Sequence, residues 1–254
     1  VIKLPDSVPE MVSESLSSLL AGVIITIVFL IFRALFAVTP YGNATDCIYT
    51  IIQTPLQSLT GNLPAFIIII LIAQLLWFFG IHGSMTVLPI LFPIWLSYIG
   101  DNTAAMAAGK TIPHVLNIGL WDLANLGGSG ATIGLVILMF FKAKSNQYKS
   151  FGKLTLPCGI FSVNEPVIFG LPVILNPIML IPFIICPIVL VCLGYALIQF
   201  GIVTAPIGIL GLGSMPPLIS GIMQGSLSWG IYQLVAVVIS IIIYYPFFKT
   251  IDNQ

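Results

Sequence analysis

Phe161-Ser-Val-Asn-Glu-Pro-Val-Ile-Phe-Gly-Leu-Pro-Val-Ile-Leu175 is an apolar run that a bilayer would take up, except that Glu165 sits in its middle. A carboxylate at membrane depth costs about 3 kcal/mol on insertion scales and more in simulations, so such a group is kept where it handles a substrate, an ion or a proton. Pro166 follows directly, and proline removes a helical hydrogen bond and disfavours helix at the residue before it. A break in the helix is therefore expected beside the charge. Irregular backbone at this depth is tolerated only where protein buries it or where it lines a wet cavity. Charge and break together mark a binding site.

Composition agrees with the membrane reading. Of the 254 residues 58% are hydrophobic and only 6% charged, with a mean hydropathy of +1.13, whereas soluble chains carry about a quarter charged residues. Eight Lys/Arg balance eight Asp/Glu, so no net field points to nucleic acid as a partner. Runs such as Ala65-Phe-Ile-Ile-Ile-Ile-Leu-Ile-Ala73 lack the alternation of a transmembrane barrel. The fold class is all-α: a polytopic membrane protein with re-entrant hairpins and broken helices, in contact with a lipid bilayer. Cys47, Cys158, Cys186 and Cys192 show no metal spacing and read as small apolar residues. The chain opens on Val1 without the charged region of a signal peptide and is expected to be an amino-terminally truncated fragment.

Crossings are expected over 15–38, 63–80, 117–141, 177–200 and 229–248. The stretch 84–99, cut by Pro89 and Pro93, reads as a re-entrant hairpin, and so does 154–175, while the Gly/Pro-rich 201–224 reads as re-entrant or interfacial. Residues 41–62 suit a connecting or interfacial helix. The domain reading is 1–62 for that helix and the last of an interface region, and 63–254 for a substrate-binding membrane domain. Lys142, Lys144, Lys149 and Lys153 crowd one loop and Lys249 closes the last span, which puts loop 142–153 and the carboxy terminus in the cytoplasm. Lys110 dissents. Pro-broken stretches entering from opposite faces are a transporter layout, with the site near the midplane.

Four polar features fall at depth. Gly80-Ile-His82-Gly83 ends a clean span, and a neutral imidazole both donates and accepts, as a sugar hydroxyl does. Asn164 and Glu165 offer an amide and a carboxylate. Asn125-Leu-Gly-Gly-Ser-Gly130 resembles a phosphate cradle but lacks its lysine, so a nucleotide is not indicated; its glycines equally suit close backbone approach. Asp122 suits either a substrate contact or a cap for the break that follows. Trp77, five residues before His82, offers an aromatic platform or ordinary packing. Amides and aromatics around one carboxylate describe a carbohydrate site better than an ion site.

Gly80-Ile-His-Gly83, Asn125-Leu-Gly-Gly-Ser-Gly-Ala-Thr132 and Asn164-Glu-Pro-Val-Ile-Phe-Gly-Leu-Pro-Val-Ile-Leu-Asn-Pro177 together resemble the signatures of enzyme IIC of the bacterial phosphoenolpyruvate-dependent sugar phosphotransferase system, in its lactose/cellobiose/diacetylchitobiose branch. The resemblance implies a dimeric inner-membrane permease whose sugar-holding domain moves against an interface domain, most of it absent here. It implies that a separate IIB protein donates phosphate from a phosphocysteine to the sugar 6-hydroxyl, with no cofactor. Carried over by position, Glu165 and His82 contact the accepting hydroxyl, and Asn164, Trp77 and Asn125 hold the rest of the sugar. None of the cysteines resembles the IIB site.

The sequence therefore leads to group translocation of a β-linked disaccharide. Two alternatives stand beside it: a proton-coupled sugar or solute symporter with Glu165 as the proton site, and a non-transporting receptor or a remnant unable to transport.

Overall fold

Two units divide the chain, Val1–Leu56 and Gln57–Gln254, a few residues before the division expected after 62. The computed structural model describes residues 10–44, 46–47, 61–171 and 173–253. The connecting helix expected over 41–62 falls largely outside them. In the first unit, helix α1 (Glu10–Ala37) covers the expected 15–38 crossing except its last residue. It buries none of its described side chains, and Ile24, Phe29 and Phe32 are all exposed.

The second unit is helical throughout its described regular structure: α2 (Leu63–Phe78), α3 (Gly83–Ala107), α4 (Ile118–Ala124), α5 (Ile133–Lys142), α6 (Asn146–Ile160), α7 (Glu165–Gly170), α8 (Pro177–Gln199), α9 (Ile219–Met223) and α10 (Leu227–Asp252). Local chemistry sets the starts. The Asn62, Asn117, Ser145, Asn176 and Ser226 side chains each accept a backbone N–H of the turn that follows, satisfying donors a helix start leaves open.

Among the described residues three helices are long and apolar enough to cross a membrane: α3, α8 and α10. The stretch 84–99 is not a hairpin on its own, contrary to expectation. α3 runs unbroken through Pro89 and Pro93 to Ala107, because a buried helix can re-satisfy the carbonyls that proline leaves free. The hairpin is instead the antiparallel pair α2–α3, turning at residues 79–82. An added side-chain carbon at Gly83 would strike the Ala73 carbonyl, and the Phe66 and Trp95 rings lie 6.5 Å apart. The expected 117–141 crossing is also divided, into α4 and α5, by the glycine loop 125–132.

The 154–175 hairpin forms, with one correction. Pro166 does not break a helix; it is the second residue of α7, where its missing N–H has no helical partner to lose. The break lies earlier, at residues 161–164, where Ser162 adopts a left-handed φ of 59°. α7 then folds back on α6, since a side chain at Gly170 would meet the Phe151 ring. The stretch 201–224 is irregular apart from a short 3-10 turn (Leu212–Ser214) and α9.

α10 joins the two ends of this unit. Its start lies beside Thr204, whose N–H donates to Ser228 Oγ at 3.0 Å. At its other end Asp252 accepts the backbone N–H groups of Lys144 and Ser145, at 2.7 and 3.1 Å. The loop of lysines and the last helix therefore share one end. Hairpin α6–α7 enters from that end and α2–α3 from the other, where Gly61, Tyr98 and Gln199 line one small cavity.

The glycine loop is held where the hairpin tips meet. Its carbonyls are met by side chains: Thr132 Oγ1 donates to Gly127 O (2.8 Å), Asn164 Nδ2 to Ser129 O (2.7 Å), Tyr244 OH to Gly130 O (2.7 Å) and Ser240 Oγ to Ala131 O (2.7 Å). Losing one such donor leaves a buried carbonyl unpaired, at a cost of about 1–3 kcal/mol. Tyr244→Phe, which keeps the fully buried ring, is expected to lower stability by that amount in thermal unfolding in detergent. An unchanged melting temperature would show that the bond does not hold the loop.

Candidate functional site

Each tip presents one titratable group. His82 is the residue before α3, and its Nδ1 accepts the Met85 N–H at 3.2 Å, capping the helix. An acceptor Nδ1 carries no proton, so in the neutral ring the hydrogen sits on Nε2. Nε2 faces Glu165 Oε1 at 3.6 Å, too far for a direct hydrogen bond. Both side chains are partly open, 35% for His82 and 45% for Glu165. A donor and an acceptor thus stand side by side at an accessible position.

The two groups line a cavity of about 210 Å³ with Trp121, Asp122, Asn125, Ser129 and Asn164. That is below the roughly 300–1,000 Å³ of pockets for drug-sized ligands. A larger cavity of about 680 Å³ lies toward the opposite end, around Lys110, Gln199 and Thr204. Its lining has no carboxyl and no imidazole, so it offers no group suited to accept a proton. The smaller one is the candidate site.

The other expected site residues take different places. Asn164 is buried, and both hydrogens of its amide are engaged, by Ser129 O at 2.7 Å and Thr132 Oγ1 at 2.8 Å. Gly128, at φ 99°, lies so close that an added side-chain carbon would fall 2.1 Å from Asn164 Cγ. Asn164 thus ties the α6–α7 tip to the glycine loop. Asn125 donates to Trp121 O at 2.8 Å, and its Oδ1 accepts from Ser84 Oγ at 3.4 Å. Trp77 is buried and is not among the cavity's lining residues. Its indole N–H donates to Ser129 Oγ at 2.8 Å and its ring lies 4.2 Å from the imidazole. The expected sugar platform is therefore a support behind His82.

Sequence reading passed over Ser84, Ser162 and the 211–214 segment, which also line the cavity. Serines in an apolar helix carry little signal. Asp122, expected as either a substrate contact or a cap, lies in the cavity wall.

The family model for the phosphotransferase system EIIC matches residues 1–187. The chain belongs to that family. The EIIC chain is 39% identical to the lichenan permease IIC component of Bacillus subtilis, with 100% of this chain covered and 57% of the relative. It is 38% identical to the cellobiose-specific EIIC component of Geobacillus stearothermophilus, covering 100% and 57%. Among solved structures it resembles ChbC, the IIC component of the N,N'-diacetylchitobiose-specific system, with a TM-score of 0.81, 38% identity, and coverage of 100% and 60%. The chain thus spans a little under three-fifths of the length of these relatives.

The capping role of His82 can be separated from its place in the site. His82→Ala is expected to cost about 1 kcal/mol in thermal unfolding and His82→Asn much less, since asparagine caps well. Equal losses in the two variants would overturn the Nδ1 assignment.

Proposed function

We propose that this EIIC chain holds the sugar in a permease that carries a β-linked disaccharide across the bacterial inner membrane while the sugar is phosphorylated at its 6-hydroxyl. The observation that carries this reading is the pair at the hairpin tips, a fixed Nε2–H donor 3.6 Å from a free carboxylate oxygen. A primary hydroxyl can bridge the pair from its open side, its oxygen accepting from His82 and its hydrogen directed at Glu165. The β-linked class is supported by the specificities for which the relatives are named, lichenan, cellobiose and N,N'-diacetylchitobiose.

Phosphoryl transfer needs little from a protein beyond positioning and charge stabilisation. The hydroxyl oxygen attacks phosphorus on a IIB phosphocysteine. The O–P bond forms, the S–P bond breaks, and the cysteine thiolate leaves on IIB. The hydroxyl proton passes to Glu165 as the attack proceeds. His82, with Nδ1 engaged by the backbone, acts as a donor that orients the nucleophile. Transferase activity is thus shared: this chain supplies sugar and base, IIB supplies phosphate.

In the proposed topology the shared end of loop 142–153 and the carboxy terminus faces the cytoplasm, on the bias of Lys142, Lys144, Lys149, Lys153 and Lys249. Hairpin α6–α7, bearing Glu165, then enters from the side where IIB docks. Residues 1–62 are proposed to end the interface region through which two copies pair, with 63–254 as the substrate-binding domain.

Glu165→Gln in the full-length protein is expected to reduce sugar 6-phosphate formation with IIB by at least about 100-fold, the lower range for a lost general base, while calorimetry still detects sugar. Wild-type phosphorylation rates in that variant would remove the assignment. Uptake of free sugar that collapses with the proton gradient would replace group translocation by proton symport. A screen of cellobiose, lactose and diacetylchitobiose identifies the disaccharide, and a full-length protein that binds none of them would leave the sugar reading without support.

A further inference from the structure

Asp122 stands on α4, in the wall of the cavity that holds His82 and Glu165. Its Oδ2 is buried and has no hydrogen-bond partner. Four polar side chains that line the same cavity are engaged elsewhere: Asn125 with Trp121 O and Ser84, Ser84 with Ser129, Ser129 with Trp77, and Asn164 with the glycine loop. Nor does Asp122 cap the break after α4. Asn125 occupies that position, its N–H bonded to the carbonyls of Trp121 and Asp122.

The segment on the other side leaves room for the carboxyl. Gly213 lies against it, and an added side-chain carbon there would come within 2.4 Å of Oδ1 and 2.7 Å of Cγ. Gly211 and Ser214 line the same cavity. A carboxyl oxygen kept buried without a partner costs free energy that a stability role would not explain. A cation does not account for it, since no three His, Cys, Asp or Glu residues gather at one point among the described residues, and hard cations take six or more oxygen ligands. A hydroxyl does account for it. It both donates and accepts, so it pairs with a carboxyl in either protonation state.

We propose that Asp122 is a second sugar anchor, bonding a hydroxyl other than the one served by Glu165 and so fixing which hydroxyl pattern the cavity accepts. The inference rests on the sugar-binding reading above and deepens it. Glu165 acts on the reacting hydroxyl, and Asp122 sets the orientation of the ring that carries it. Discrimination of this kind is strong, because a site built to bond a hydroxyl is left with an unpaired buried group when the hydroxyl is missing.

The test is calorimetry on the full-length protein with cellobiose, lactose and diacetylchitobiose, each alongside its single-deoxy forms. In the wild type, removal of one hydroxyl other than the 6-hydroxyl is expected to weaken binding about tenfold or more, the scale of a hydrogen bond to a charged group. In Asp122→Ala the parent sugar should lose a similar factor, and the same deoxy form should lose almost nothing further. Asp122→Asn, which keeps an acceptor and a donor, should recover part of the discrimination. Uniform weakening of every sugar in Asp122→Ala would mean a structural role and overturn the proposal, as would wild-type affinities throughout. Should that variant not fold, Gly213→Ala displaces the carboxyl and is expected to lose the same discrimination; an unchanged deoxy profile there counts equally against it. A wild-type protein that binds none of the three sugars overturns the sugar reading itself, a result distinct from either outcome for Asp122.

Discussion

Everything in the second unit depends on keeping the unwound backbone of the glycine loop satisfied in a setting where water cannot do so. Residues 127–131 run through left-handed conformations at Gly127, Gly128, Gly130 and Ala131, and no helix ladder can take up their carbonyls. Hydroxyls from α10 and the Asn164 amide take up most of them instead. This explains why a serine and a tyrosine stand in the interior of an apolar crossing helix. It also explains why the α6–α7 tip is fixed, since the amide that satisfies the loop belongs to the residue before Glu165. Loop and hairpin tip position each other.

That mutual support brings His82 and Glu165 together. Trp77 is held by Ser129 of the same loop and lies against the imidazole, so the loop positions His82 as well as Glu165. The backbone then fixes the tautomer through the Met85 N–H. At 3.6 Å the two side-chain atoms are too far apart for a direct hydrogen bond to each other. Both side chains also keep enough exposure for a ligand to reach them.

The sequence made the chemistry more legible than the helices. Glu165 and His82 stood out because a charge or an imidazole in an apolar run needs a reason, and the structure brings them side by side. The helix breaks were harder to place. Pro89 and Pro93 suggested a hairpin, yet in a packed crossing helix proline only removes hydrogen bonds that neighbours can replace. Pro166 suggested a break, yet after Asn164 it begins a helix. The true breaks, at 79–82, 125–132 and 161–164, carry glycine or a left-handed serine. Trp77 was misjudged because a spacing of five residues from His82 does not reveal which of the two lies in front.

Hydrogen-bond capacity separates scaffold from site more sharply than residue type does. Asn164, Asn125 and Trp77 have the side chains expected of a carbohydrate pocket, but their donor groups are engaged by the fold. His82 Nε2, the Glu165 carboxylate and Asp122 Oδ2 are different, for none of them has a hydrogen bond to the protein among the described residues. A buried polar group without a partner is costly in any protein, and more so where surrounding side chains leave no room to relax. Asp122 Oδ2 carries that cost in the wall of a cavity of about 210 Å³ that the partly open His82 and Glu165 also line. Under the proposed function, sugar hydroxyls supply the partners that these three groups lack.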